Sequence, residues 1–466
     1  MVPAFKKSGM GQGSVALLLF RFSFPAALGL VSNALYNIVD RLFIGRFVGN
    51  SGLGAVGLTF PLTVFIAAVG SLVGIGSSSQ MSRFLGEGRT VRAERVLGTA
   101  VTTMAVLSVA FATCGLLNLD VLTGALGAGS ELFYDTKSYL KIILLGMPFA
   151  LMSFSLNCLI RAEGQARDAM LTLVIGAAVN IFLDWLLVAR LEMGIHGAAV
   201  GTAVAQAAAF AWTAVFYFTK STLISGSFSL RPDVGILGDM LRIGFSPFCV
   251  KIFYTMCMMF FNGIVGGLGG PLAVSAIGIF FCLDELIYIP IFGISDGLAP
   301  IVGYNYGAGQ SDRVKRAVVW ALGAGTVYFM VSFVCAESFA PAMASIFTDD
   351  ADLIEMTSRA MRIGYMGMPF AASGIIASSV FLALGRAGIS LFLNMCRQGL
   401  IFFLALMLLP GLIGLDGAWG SFAVVDLGGG LIGGVSLAYF WDSLGGEAGA
   451  KQAAGIKRVY LHAVSN

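Results

Sequence analysis

Three pairs of polar residues four apart carry the chemistry in this chain: Tyr36 with Asp40, Asn180 with Asp184, and Thr202 with Gln206. On a helix, residues four apart share one face. Each pair lies in an apolar run, and an ionisable side chain near mid-bilayer costs at least ~2.5 to 3.5 kcal/mol, so each charge needs a reason to be there. Two carboxylates, a carboxamide and a hydroxyl offer only oxygen, which suits a hard monovalent cation. Two carboxylates close together in low dielectric repel, and sharing one proton relieves them. The same set therefore suits a proton or a sodium ion.

Depth supports bringing these residues together. Reading the fifth span as entering from the cytoplasm near Ala169 puts Asp184 ~22 Å deep, and reading the sixth as entering from outside near Gly197 puts Thr202 ~8 Å below the outer surface. In a ~30 Å core these are one level. Asp40 sits near the outer end of the first span, and tilt or a kink at Pro25 lowers it to meet them. The plainer alternative pairs Asp40 with Arg41 or Arg46 and uses Asn180 and Thr202 only to tie helices.

A second group of buried charge follows: Lys251, Asp284, Glu285, Arg397 and Asp426. Arg397 and Asp426 fall at similar depth, so a structural ion pair is one reading. Asp284 and Glu285 diverge by about 100° on a helix, so one of them faces a central cavity, where it would attract a cationic substrate. Glu285 is the favoured one. Asn33, on the face of Tyr36 and Asp40, and Asn157 are further candidates for the substrate cavity. Met256, Met258 and Met259 offer either a deformable apolar wall for varied substrates or simple packing.

The elements that must position these groups are legible in composition. Of 466 residues 58% are hydrophobic and 11% charged, against roughly 25% charged in soluble proteins, which excludes an ordinary soluble enzyme. Apolar runs near 17–39, 53–80, 95–118, 138–160, 169–189, 197–219, 242–264, 273–300, 317–337, 360–384, 389–409 and 417–440 predict twelve transmembrane helices, and their length excludes barrel strands. Lys6 and Lys7 precede a run reaching about Val39, too long for a signal peptide, so a retained first helix is expected. Eighteen of the 28 Lys and Arg fall on one side of these spans and seven on the other. The richer side is cytoplasmic, which places both termini in the cytoplasm.

The chain also repeats itself. Gly57, Gly86 and Arg92 recur at Gly278, Gly307 and Arg313, and Gly146-Met147-Pro148-Phe149 recurs as Gly367-Met368-Pro369-Phe370, all 221 residues on; Gly197-Ala198 recurs 220 on as Gly417-Ala418. Six spans per repeat, an even number, give both copies one orientation, so a pseudo-two-fold along the membrane normal is expected. The expected fold class is an all-α polytopic membrane protein of two six-helix lobes. The N-lobe covers 1–219, a cytoplasmic linker 220–241, the C-lobe 242–440 and a cytoplasmic tail 441–466. Lobes rocking about a shared cavity is a transporter architecture.

Asn37-Ile38-Val39-Asp40-Arg41-Leu42-Phe43-Ile44-Gly45, Ser82-Arg83-Phe84-Leu85-Gly86 and the run from Gly293 through Tyr304-Asn305-Tyr306-Gly307-Ala308 resemble the multidrug and toxic compound extrusion (MATE) antiporters, most of all their MepA-like branch. The resemblance covers nearly the whole chain. It implies a two-lobed exporter of cationic or amphipathic compounds driven by inward proton or sodium flow, in a prokaryotic inner membrane. It also implies that Asp40, Asn180, Asp184 and Thr202, with Tyr36 beside them, form the family's N-lobe cation site, and that an acid in the C-lobe serves drug recognition or protonation.

Other signals are discounted. No basic run interleaves with aromatics, so no nucleic-acid partner is expected, and the Gly clusters at 266–270 and 428–434 lack a phosphate-loop lysine, so no nucleotide-binding subunit is expected. The seven cysteines form no CxxC pair, His196 and His462 are isolated, and no metal, disulfide or cofactor other than the coupling ion is expected. Asp349-Asp350-Ala351-Asp352 is similar to the acidic motif of prenyl-transferring enzymes but stands before the tenth span, where it is expected to cap the helix. The rival readings are a lipid-linked oligosaccharide flippase, expected to have a cavity richer in Arg and Lys, and a membrane-embedded transferase, expected to carry paired acidic or His motifs at one face.

Overall fold

The computed structural model describes residues 9–127, 132–224 and 229–441. Lys6, Lys7, Lys451, Lys457, Arg458, His462 and all but the first residue of the expected tail at 441–466 lie outside the described residues.

The described residues are helical, with no strands among them. The membrane helices are α1 (Val15–Val48), α2 (Ser51–Gly86), α3 (Thr90–Leu117), α4 (Phe133–Ala162), α5 (Ala166–Arg190), α6 (Gly194–Thr219), α7 (234–269), α8 (271–307), α9 (Ser311–Ala344), α10 (Ala351–Ala383), α11 (Ala387–Ile413) and α12 (Leu415–Tyr439). The twelve expected spans are all present, and most run longer than their apolar cores. Helices α7 and α8 meet with no loop: one residue, Gly270, turns the chain at φ 63° and ψ −160°, a conformation only glycine takes without strain. Helix α10 starts nine residues before the expected span because Asp350 caps it, accepting from the backbone N–H of Asp352 at 3.0 Å and Leu353 at 3.3 Å. The expected capping role of the Asp349–Asp352 motif is thus present.

The repeat is written in the backbone as well as in the sequence. Left-handed glycines recur in step: Gly49 with Gly270, Gly88 with Gly309, Gly164 with Gly385, and Gly194 with Gly414. The offsets are 221, 221, 221 and 220, those read from sequence identities. Each pair marks the same helix end in its copy.

By internal contact the chain forms two compact units, one of Leu28–Phe248 and one joining Gly9–Ala27 to the chain from Cys249 onward. The first half of α1 therefore belongs with the second repeat and the first half of α7 with the first. In the second unit the chain entering α1 is held by one guanidinium. Arg313 donates to the carbonyls of Gly13 at 2.8 Å, Met10 at 3.1 Å and Gln12 at 3.2 Å, while its Nε donates to Asn305 Oδ1 at 3.0 Å. Asn305 Nδ2 donates in turn to Met10 at 3.0 Å. Two of these carbonyl bonds, to Gly13 and Gln12, are exposed and each is worth less than the about 1.5 to 3 kcal/mol of a shielded charged donor. Arg313→Ala is expected to free residues 10–14, read as a rise in their amide exchange with α8 and α9 unchanged; unaltered exchange at 10–14 would contradict this grip.

In the first unit the turn after α4 is tied to the end of α6. Glu163, just beyond the end of α4, accepts from Ser221 Oγ at 2.5 Å. Burial pushes its carboxyl from an ordinary 4.5 up to about 7, the serine donor opposing. A raised carboxyl means the fold prefers the neutral form, so this corner is most stable below pH ~4.5, weakens as pH rises to about 7 and is weakest above it. Amide protection at 217–223, corrected for intrinsic exchange, is expected to fall between pH 5 and 8 and to become flat in Glu163→Gln.

Candidate functional site

In the first unit the structure brings the polar pairs together. Helix α1 runs on past the expected span end to Val48, so Asp40 lies within a helix and not at its end. It is 9% exposed, Asp184 is 0% exposed and Asn180 is 1% exposed. The carboxyl groups of Asp40 and Asp184 lie within hydrogen-bonding range of each other. Such a contact is a hydrogen bond only when one of the two holds a proton. Asn180 Nδ2 donates to Thr202 Oγ1 at 3.4 Å, joining α5 to α6 beside the pair. The expected alternative, with Asp40 serving only Arg41 or Arg46, does not describe this arrangement.

The backbone is shaped around Asp184. A π-helical turn runs from Asp184 to Arg190, and such bulges re-aim side chains, often at functional positions. Opposite it on α6 stands Gly201, where a Cβ would come within 2.8 Å of Asp184 Oδ1. The carboxylate occupies the space a side chain would fill. Five buried acceptors receive no donor among the described residues: Asp40 Oδ1, both carboxylate oxygens of Asp184, Asn180 Oδ1 and Gln206 Oε1. Buried polar atoms are nearly always satisfied, so a cluster of orphaned oxygens is a site for something positive.

The other N-lobe candidates fall around this centre or away from it. Tyr36 lies one turn before Asp40, and Tyr139 on α4 stands within reach of Asp40, Asp184 and Tyr36. Sequence reading missed Tyr139. It is 7% exposed, packed with Ala55, Ile143, Ile195 and Ala199, and the signal for it was a phenol seven residues before Gly146 on the face that meets α6. The carbonyl of Asn33 accepts from Asn37 Nδ2 at 2.9 Å. Asn157 is not on a cavity wall as expected: it is 6% exposed, and its Nδ2 donates to the Ala169 carbonyl at 2.6 Å, tying α4 to α5.

The second unit holds a different arrangement. Arg397 Nη1 lies 3.7 Å from Asp426 Oδ1, so the ion pair weighed from sequence exists, and Tyr288 donates its hydroxyl to the other oxygen of Asp426. Asp284 is partly buried and Glu285 exposed. The charges that act on Asp284 are those of Asp426, Glu285 and Arg397. Met256 and Met259, with Phe260, Gly263 and Ile264, line an apolar groove of about 460 Å³ on α7. At the repeat offsets, the positions of Asp40, Asp184 and Thr202 are taken by Phe261, Ala405 and Phe422. Phe261 stacks edge-on against Phe422 with centroids 5.0 Å apart and against Trp419 at 5.3 Å. The carboxyl pair of the first repeat has no counterpart in the second.

Twelve apolar helices in two repeats, with carboxylates facing one another inside the membrane-spanning region, define a multi-pass membrane transporter. A family model, MatE, matches residues 25–186 and 248–407, once per repeat, and the chain belongs to this family. It is 27% identical over 415 residues, 88% of this chain and 90% of the relative, to the multidrug export protein MepA of Staphylococcus aureus strain MSSA476. It is 26% identical over 424 residues, 91% and 92% of the two chains, to that of Staphylococcus saprophyticus. Among solved structures, a MATE protein in complex with MaL6 matches with TM-score 0.88 at 23% identity, covering 98% of this chain and all of that one. A transporter of the MOP superfamily from Pyrococcus furiosus, described as having a binding pocket of reverse polarity, matches with TM-score 0.88 at 24% identity over 94% and 99%. These likenesses establish the fold.

Two buried acids facing each other, with Asp40 Oδ1 and both oxygens of Asp184 receiving no donor among the described residues, cost stability. Asp184→Asn, which removes one charge and adds a donor, is expected to raise the melting temperature of the purified protein by about 2–4 °C. A lower melting temperature would show that the pair is structural.

Proposed function

We propose that this protein exports cationic or amphipathic organic compounds from the cytoplasm in exchange for an inward-moving proton or sodium ion. The observation that carries the reading is the Asp40–Asp184 contact with its surrounding orphaned acceptors. An ion entering there neutralises mutual repulsion, and Asn180 and Thr202 complete an oxygen shell. Loss of the ion restores the repulsion, so the site has two electrostatic states, which is what coupling to a gradient requires. Membership of the MatE family and the multidrug export named for the staphylococcal relatives support an organic, chemically varied substrate. The substrate's positive charge is met by the acids of the second unit, Asp284 or Glu285. No catalysed bond change enters this reading, and transport needs no cofactor beyond the coupling ion and no nucleotide-binding subunit. The excess of Lys and Arg in one set of loops supports both termini being cytoplasmic, and the bacterial relatives support a prokaryotic inner membrane.

The test is ethidium or fluoroquinolone export in proteoliposomes with proton and sodium gradients imposed separately. One gradient is expected to drive export, and Asp184→Asn and Asp40→Asn are expected to lose at least about tenfold of the driven rate. A site that works by sharing a proton responds to pH alone, whereas one that holds sodium responds to sodium at fixed pH. Export indifferent to both gradients would end the antiporter reading.

A further inference from the structure

The second unit carries an apolar groove that the transport reading does not use. It has a volume of about 470 Å³ and lies between α7, from Phe260 to Leu268, and α11, from Phe403 to Gly411. Just before it the two helices touch, Cys257 Sγ donating to the Gln398 carbonyl at 3.3 Å. The rings of Phe260 and Phe403 then meet edge to face, with centroids 5.7 Å apart, and close that end. The hollow beside Met256 and Met259 shares Phe260, Gly263 and Ile264 with the groove.

Glycine makes this groove. A Cβ built at Gly263, Gly267 or Gly411 meets no atom within 4 Å, so none of the three is there to let a neighbouring helix approach. Elsewhere in the unit glycine does serve packing: at Gly293 a Cβ would stand 2.6 Å from that of Ala27. Glycine inside a helix costs stability against alanine, and at the groove what it yields is open space. All three are exposed. The first repeat puts side chains, Leu42 and Arg46, at the positions of Gly263 and Gly267, so the bare face is a feature of the second repeat.

We propose that the groove holds one hydrocarbon chain of a bilayer lipid, lying along α7 and α11 with its methyl end against Phe260 and Phe403. Length favours this occupant. Helix α7 ends at 269 and α11 at Ile413, so the two rings stand ~14 to 15 Å from the helix ends, half of a ~30 Å hydrocarbon core. The groove runs from one membrane face to the middle, the reach of a single leaflet. Its lining favours a chain too, since every lining residue is apolar. A drug-sized ligand is oriented by a few polar groups, whereas a chain needs none. Width excludes a second copy of this protein: a helix with its side chains is about 10 to 12 Å across and cannot reach glycines walled by Phe260, Phe403 and Met407. Lipid tails elsewhere are as apolar as leucine, so the gain is contact on several sides of the chain instead of one. The proposal needs only the membrane-spanning helices and neither the coupling-ion nor the substrate reading.

The test places the full-length protein in phosphatidylcholine vesicles that contain a phosphatidylcholine bearing a photoreactive diazirine at the end of one chain, and maps the labelled residues by mass spectrometry. The reference is the exposed apolar face of α9 at Val327, Met330 and Val331, near the middle of that helix, where any passing chain end can react. Labelling at Phe260 and Phe403 is expected to exceed it by about fivefold or more. Gly263→Leu combined with Gly267→Leu fills the groove from α7, and Gly411→Leu fills it from α11. Each is expected to bring the two places to parity at an unchanged melting temperature; if the α7 pair unfolds the protein, Gly411→Leu decides alone. A phosphatidylglycerol with the same chain and label is expected to react as the phosphatidylcholine does, because no charge lines the groove. Parity in the wild type, or an excess that survives both fillings, would overturn the proposal. So would labelling that follows the headgroup, or a dimer in light scattering that the leucine variants dissociate, which would give the groove to a second copy.

Discussion

Burial of carboxylate in a medium that cannot solvate it is the constraint on which the rest depends. Asp184 is 0% exposed and meets Asp40, and no lysine or arginine pairs with either among the described residues. The charge of Arg41, next in sequence, bears on Asp40, and the fold gathers further acceptors around the pair. Gly201 yields space to Asp184, and the π-helical turn starting at Asp184 sets the angle at which it leaves the helix. A soluble protein would solve the same problem with water.

The two repeats answer the constraint in opposite ways. In the first, the carboxylates face one another and the balancing charge must come from outside the protein. In the second, Asp426 has a balancing charge covalently attached to the same chain, and the positions equivalent to Asp40 and Thr202 have become Phe261 and Phe422 in a stacked aromatic core. Duplication supplied two identical scaffolds, as the paired left-handed glycines still show. What diverged is the interior of the helices, where a change of side chain alters charge without altering the path of the backbone.

That division explains what was legible in the sequence. Helix number, repeat offset and the meetings of Asp40 with Asp184 and of Asn180 with Thr202 follow from period and depth, because those depend on residue type and count along one chain. Asn157 was misplaced by the same logic: a polar residue on a span suggests a cavity, yet its amide is satisfied by a neighbouring backbone carbonyl. Tyr139 was overlooked because a phenol is unremarkable in a span until another helix brings acids to it. The grip of Arg313 on Met10, Gln12 and Gly13 joins residues about 300 apart through backbone carbonyls, and carbonyls carry no sequence signal at all.

The same limit applies to the ends of α1. From composition it is one apolar run in the first repeat, but its first half packs in the second unit, and only beyond Ala27 does it join the first. Pro25 lies at that junction, where the missing N–H removes one helical hydrogen bond and weakens the rod. Hydropathy sees a continuous span on both sides of this point. The exchange is set by what each half touches: Arg313 and Asn305 at one end, Asp184 at the other. The first half of α1 thus packs with the second repeat, while its second half, which carries Asp40, packs within the repeat that encodes it.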